Sequence, residues 1–475
     1  MSSNQAPLLE GATRALAEFA ARVEFDAIPA EVIERMKTSV LDSIGCCLFG
    51  ATLPWTQHVQ AMVEAEGSRP VACLFGTARK TSVAGAVLVN ATAGHAFELD
   101  DIHKESIVHA GSIAVPVVLA LAEQAGGVSG RSLLASMTTG YEIGLRVGNA
   151  ATMSLFFRGF HPQGTSGVFV AAAAAAHMLG LDADHMQHAL GIAGSQAGGL
   201  MAAQEGAMVK RFHSGRAAQS GVYSALLAQR GLTGISDVLE AGYGGYLSTY
   251  SEKPNAQRLT EGLGAVWEAG KVGYKPHACV TSIHAALDAF SSLLKTHALA
   301  PGDIERVDVG VSPMTYTHCA WEYKAQGVTA AQMNLFYGMA VIAFDGGAFV
   351  AQYAQERLAE PRLLDFIGRV HAHVDEGIAD MGPAYRHAAR VKVTLRDGRS
   401  FSHEALHRRG SPENPLTAGE VEYKFRQVVA SCLSAADIER VVSLVGRLDT
   451  LDSTTELMQI LAARRYEPAT APSNP

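Results

Sequence analysis

From residue 8 to about 268, apolar residues recur at three- and four-residue intervals, the spacing that lines one face of an α-helix. The pattern is clearest in segments 30–48, 85–98, 113–126, 129–150, 164–180, 184–199 and 214–230. Their ends are punctuated as helices require. Ser129 and Asp182 stand where N-caps belong, and Gly126, Gly127 and Gly180 where helices stop. The alanines of 171–176 predict a tight bundle, because small side chains let helix backbones approach. Near residue 269 the texture changes. Residues 306–311 (RVDVGV) and 391–395 alternate apolar and polar with period two, and Asp397-Gly398 makes a two-residue turn into a returning strand at 400–403. Helical stretches at 281–297 and 328–345 lie between these strands. After the polar, Pro-containing loop 410–415, helix returns at 417–464 with no strand to pair with, so it is expected to pack on the first helices. The expected fold is therefore mostly α. A large all-helical domain is built from both chain ends (1–268 and 405–465), a smaller α+β lid domain (269–404) is inserted, and the tail 466–475 is disordered. Hinges are expected near 268–271 and 404–415.

Composition narrows the function classes. A chain of 475 residues with 48% hydrophobic and 18% charged residues is globular and large enough for two cores, which excludes disorder over most of its length. Its net charge is -8, with Lys and Arg scattered singly, so the basic face of a nucleic-acid binder is missing. A locally positive pocket in an acidic protein still suits an anionic substrate. The six cysteines form no CxxC and no metal-finger spacing, which points to reduced thiols in a cytoplasmic compartment. Residues 1–10 lack the basic and apolar regions of a secretory signal. The longest apolar runs, 113–122 and 168–176, fall short of the roughly 20 residues of a membrane span, so no membrane partner is expected.

Five segments could carry chemistry. The first, 95–112 (HAFELDDIHKESIVHAGS), puts Asp100, Asp101, His103 and His109 between two buried helices, where such groups are costly without partners. Its plainer reading is a solvated loop with Asp100 or Asp101 capping a helix. A metal site of Asp100, Asp101, His103 and His109 is a further reading, although their spacing matches no ligand pattern. The second is Gly159-Phe160-His161-Pro162. Pro162 suits a first helical turn, which would set His161 at the positive helix end and favour its neutral, basic form. The third, 204–215 (QEGAMVKRFHSG), gathers Lys210, Arg211 and His213 after a glycine-bearing loop, an arrangement that suits a carboxylate or phosphate. It is not a P-loop, since GxxxxGK[ST] is absent. The fourth, 274–284, sets Lys275 and His284 nine residues apart across the start of a helix. The fifth is the polar-aromatic run 316–321 with Tyr316 and Cys319, where an inert buried cysteine is the commoner reading. Together these supply acids, neutral bases and lysines, with no nucleotide fingerprint and no metal set. Proton transfer at a carbon next to a carboxylate is the chemistry they fit.

At these residues the sequence resembles the MmgE/PrpD family, which includes 2-methylcitrate dehydratase, cis-aconitate decarboxylase and iminodisuccinate epimerase. The markers, in order, are VLDSIG from residue 40, HAFELDDIH with His109, GFHP, MVKRFHSGRAA, YKPHAC with His284, THCAW and TAAQMN. The texture of 200–216 and 316–334 is similar to the fungal cis-aconitate decarboxylase branch, while Glu98 stands where some decarboxylases carry Asp and Val280 where many members carry Cys or His. The resemblance implies a helical domain with an inserted lid, a homodimer, no cofactor and no metal, and a pocket between the domains. Matched motif by motif, it implies catalytic roles for Asp100, His109, His161, Lys210 and His284, and substrate binding by His103, Lys275 and Tyr316. The expected function is a cofactor-independent lyase, either decarboxylase or dehydratase, on a small di- or tricarboxylate. The alternatives are an isomerase or epimerase on a dicarboxylate and a non-catalytic binder that keeps the fold.

Overall fold

The computed structural model describes residues 8–464, and the expected disordered tail, 466–475, lies outside them. The protein is mostly α, as the periodicity predicts. Helices Ala12–Arg22, Ala30–Gly50, Val83–Gly94, Gly111–Gln124, Gly130–Phe157, Gly167–Met178, Ala183–Gly194 and Val209–Ala228 share one apolar core with the returning helices Ala418–Val429, Ala435–Gly446 and Thr455–Ala462. The alanine-rich helix Gly167–Met178 runs through the middle, buried from Val168 to Ala176. Its neighbours can come so close only because they present glycine. A Cβ on Gly144 would sit 2.1 Å from the Val170 side chain, and one on Gly221 would sit 2.3 Å from Ala171. Ser129 and Asp182 cap their helices, accepting from Ser132 N–H at 3.2 Å and His185 N–H at 2.9 Å.

Two boundaries differ from the periodic pattern in ways that matter for the site. The helix expected over 85–98 stops at Gly94, so 95–101 is loop. The helix expected over 328–345 breaks at Asn334, whose side chain caps the second piece, Leu335–Asp345, by accepting from Tyr337 N–H at 3.0 Å.

A second apolar core gathers residues between Ala278 and Leu395 and also takes in Cys46, Phe97, Leu99 and Val428 from the helical body. It is built on a four-stranded sheet in the order Val370–Val374, Ile304–Val311, Ala389–Leu395, Ser400–Ala405. The first two strands are parallel, with Val307 opposite Val370, and the rest are antiparallel. Gly398, at φ 88°, supplies the positive φ that the Asp397-Gly398 turn needs. The strand Val370–Val374 (VHAHV) also alternates with period two, but it is short and paired in parallel with Ile304–Val311, a strand far earlier in the chain, so no local turn marks it. The chain passes into and out of this unit side by side: Tyr274 N–H donates to Gly410 O at 2.9 Å. Just before Tyr274, Val272–Gly273 pairs with Ile102–His103, which ties the 95–110 loop to the junction.

Candidate active site

Loop 95–110 is held from several sides, and each hold has a local cause. Asp101 turns away from solvent to accept from Gly111 N–H (3.0 Å), at the start of the next helix, and from Tyr141 O–H (2.7 Å). Burial pushes its carboxyl up to about 7 against those hydrogen bonds. Lys424, from the returning segment, pairs with buried Asp42 at 2.7 Å and also donates to Leu99 O. Both chain ends thus fix the loop. Glu98 sits in it at φ 54°, a conformation that costs a non-glycine residue energy and persists where surroundings impose it.

What imposes it is charge. Glu98 is buried, and its carboxylate is shared by three cations from separate segments: Lys210, Arg211 (2.6 Å) and Lys275 (3.0 Å). Lys210 and Arg211 belong to the first turn of Val209–Ala228. Lys275 follows Tyr274, whose hydroxyl is fixed by Ser39 Oγ and Arg35 O, each at 2.9 Å. Burial opposes the charge on Glu98, but Lys210, Lys275 and Arg211 outweigh it and hold the carboxyl well below the usual range. Burial also draws Lys210 down to about 8, Glu98 holding it from falling further.

Beside this cluster, Asp100 accepts from His95 Nδ1 at 2.7 Å and lies 3.3 Å from His109 Nδ1, close but not aligned for a hydrogen bond. Burial drives His95 down to about 3. His161 contacts His213 Nδ1-to-Nδ1 at 2.9 Å and packs 5.8 Å from the His95 ring. Burial and then Lys210 keep His161 well below its ordinary value, so it rests neutral. The sequence reading expected that neutrality from a helix terminus, but desolvation is its main source.

Several of these groups line one cavity at the junction of the two cores. Glu98, Lys104, His109, His161, Lys210, Lys275, His318, His387 and Arg408 form its polar wall, and Phe156, Met201, Val280, Met314 and Met333 its apolar wall. Of the eight residues assigned from the sequence, His109, His161, Lys210 and Lys275 reach the cavity directly, and Asp100 stands behind His109. Three are not brought to it. His103 is held by Ser106 (3.0 Å) and Glu268 (3.1 Å), His284 Nε2 faces Cys279 O at 3.1 Å, and Tyr316 is 40% exposed outside the cavity. The four-residue metal set is not assembled either. His103 and Asp101 turn elsewhere, and the donor groups that gather, within 4.8 Å, are His95, Asp100 and His109. Sequence reasoning missed the hub role of Glu98 and the cavity positions of Lys104, His387 and Arg408. Only Glu98 had been noticed, as a departure from relatives.

The chain belongs to the MmgE/PrpD family: its N-terminal domain model matches residues 14–258 and its C-terminal domain model residues 277–449. Among its relatives is the cis-aconitate decarboxylase of Aspergillus terreus, 32% identical over 95% of this chain and 96% of that protein. A cis-aconitate decarboxylase-like protein, oryM, of Aspergillus oryzae is 31% identical over 92% of this chain and 94% of its own length. The human cis-aconitate decarboxylase is 27% identical over 90% of each chain.

Proposed function

We propose that the protein is a lyase that releases carbon dioxide from a small unsaturated tricarboxylate of the cis-aconitate kind, without a cofactor. The observation that carries this reading is the cavity wall. Four cations (Lys104, Lys210, Lys275, Arg408) and the imidazoles of His109 and His161 face a space whose one acidic lining residue among those described is Glu98. Family membership and the names of the relatives support it. Breaking the carbon–carbon bond to a departing carboxylate leaves an electron pair that moves through the adjoining double bond toward another carboxylate. Cations placed there stabilise the developing charge. One proton is then taken up at carbon for each carbon dioxide released. His161 suits the relay of that proton: its Nδ1 is engaged with His213, half-buried and lining a neighbouring groove, so the neutral ring's Nε2 takes a proton from solvent and passes it to carbon. His109, 3.3 Å from Asp100, is the second candidate. The expected lid, residues 269–404, with its junction at Tyr274 and Gly410, closes the cavity in this reading. The homodimer that the resemblance implies belongs to the same proposal, as does a reducing compartment, given that all six cysteines are buried thiols. Among the described residues no helix is long and apolar enough to cross a membrane.

A proton NMR time course of metal-stripped protein with cis-aconitate in deuterated buffer tests the reaction. Decarboxylated product carrying one deuterium at carbon is expected. Addition of water across the double bond (a dehydration run in reverse), or deuterium exchange without net change, would replace the decarboxylase reading by a hydro-lyase or an isomerase. Run across pH, the same assay should show kcat/KM falling about tenfold per pH unit above about 8, as Lys210 loses its proton. A level profile to pH 10 would remove Lys210 from substrate binding.

A further inference from the structure

Arg408 follows strand Ser400–Ala405, where the chain leaves the α+β unit, and its side chain is 2% exposed on the cavity wall. Its Nε, Nη1 and Nη2 are all buried, and none has a hydrogen-bond partner among the described residues. No other buried arginine of the cavity region is left so. Arg211 is held by Glu98 and Gln332, and Arg146 by Glu142 and a ring of carbonyls. The acids nearest Arg408 in charge, Glu413 and Asp288, are occupied, Glu413 by Lys104 and Asp288 by His277 and Arg409 N–H. A buried guanidinium with five unused donors is costly, and its fork geometry matches a carboxylate. Room has been kept for it: Nη2 lies where a Cβ on Gly273 would come within 3.3 Å. His387, beside it on the wall, carries another orphaned buried nitrogen, Nδ1, and burial together with Arg386 and Arg408 keeps that ring neutral. Although burial draws Arg408 down to about 10, it stays charged at neutral pH.

We propose that Arg408 is a specificity-determining subsite that takes one carboxylate of the substrate in a forked pair, separate from the carboxylate held at Lys210 and Lys275. The inference rests on the reading of the cavity as a polycarboxylate site. The two grips differ in kind. The lysines already share the charge of Glu98, whereas no acid among the described residues contacts Arg408 until a ligand brings one. This makes the cavity selective for acids that present two separated carboxylates at once.

The test is binding of propane-1,2,3-tricarboxylate, an inert saturated acid, to the full-length protein by calorimetry, alongside thermal unfolding without ligand. Arg408→Met should weaken binding by about tenfold to a hundredfold, the worth of a charge-assisted pair. It should leave the ligand-free protein at least as stable as the wild type, because an unpaired charge has been removed from the interior. Arg408→Lys, which keeps the charge and loses the fork, should recover part of the affinity, and it serves as the readout if the methionine variant does not fold. Binding by both variants within threefold of wild type would overturn the subsite while leaving the proposed function intact. Failure of the wild type to bind any of the acid, or to turn over cis-aconitate, would overturn the functional reading and the subsite with it.

Discussion

Glu98→Gln should lose about 3 kcal/mol of folding stability, the low end for breaking a buried ion pair by removing one partner. Three cations, Lys210, Arg211 and Lys275, share this carboxylate in a buried setting, and the amide leaves all three without their common counter-charge. The loss is held to that low end because Lys210 can shed its proton, which already comes off at about 8 instead of the ordinary 10.5. Without Glu98 it comes off lower still. Between that lower value and about 8, the variant's folded state has released a proton that its unfolded state keeps, while wild type has not, so the variant alone gains stability as pH rises. Denaturant unfolding of both proteins at about pH 6 and pH 8.5 measures this, and the deficit should shrink at the higher value. A deficit that is absent, or that does not change with pH, would show that the three cations are not held as a unit by Glu98.

The second large effect concerns turnover. His161→Ala should lower kcat by about 10²–10⁴, the usual span for a positioned acid or base, with KM little changed. Lys210→Ala should lower kcat/KM by about 10²–10³, mostly through the loss of charge stabilisation. The split follows from their settings. His161 rests neutral, so it contributes little to holding an anion, while Lys210 is one of the wall's cations. Steady-state kinetics on cis-aconitate, with circular dichroism to check folding, separates the two. Unchanged turnover in both variants would mean that the chemistry lies elsewhere in the cavity.

Much of the scaffold was legible because it is written in periodicity and punctuation. The alanine run at 171–176, the caps Ser129 and Asp182 and the Asp397-Gly398 turn each encode a local preference that the fold keeps. The cavity was legible in part, where a motif set an ionisable side chain at the edge of a helix or a turn: His161 before Pro162, Lys210 and Arg211 after a glycine-bearing loop, Lys275 before Pro276. What escaped were roles set by tertiary contact. His103, His284 and Tyr316 share motifs with cavity residues, but a strand pairing, a backbone carbonyl and an exposed helix face turn them elsewhere. Arg408 reads as one more arginine in a polar loop, and only its burial without a partner sets it apart.

The paired crossing of the chain at Tyr274 and Gly410 has a mechanical consequence. If the α+β unit acts as the proposed lid, these two touching backbones would be the axis on which it turns, as a door turns on its jamb. Lys275 and Arg408 sit one and two residues from that axis, whereas Met314, His318 and Met333 ride far along the swinging leaf in sequence. In that proposal the anion grips would travel least and the cover most. A ligand would then be seized while the doorway stands open, and water swept out afterwards without loosening the grip.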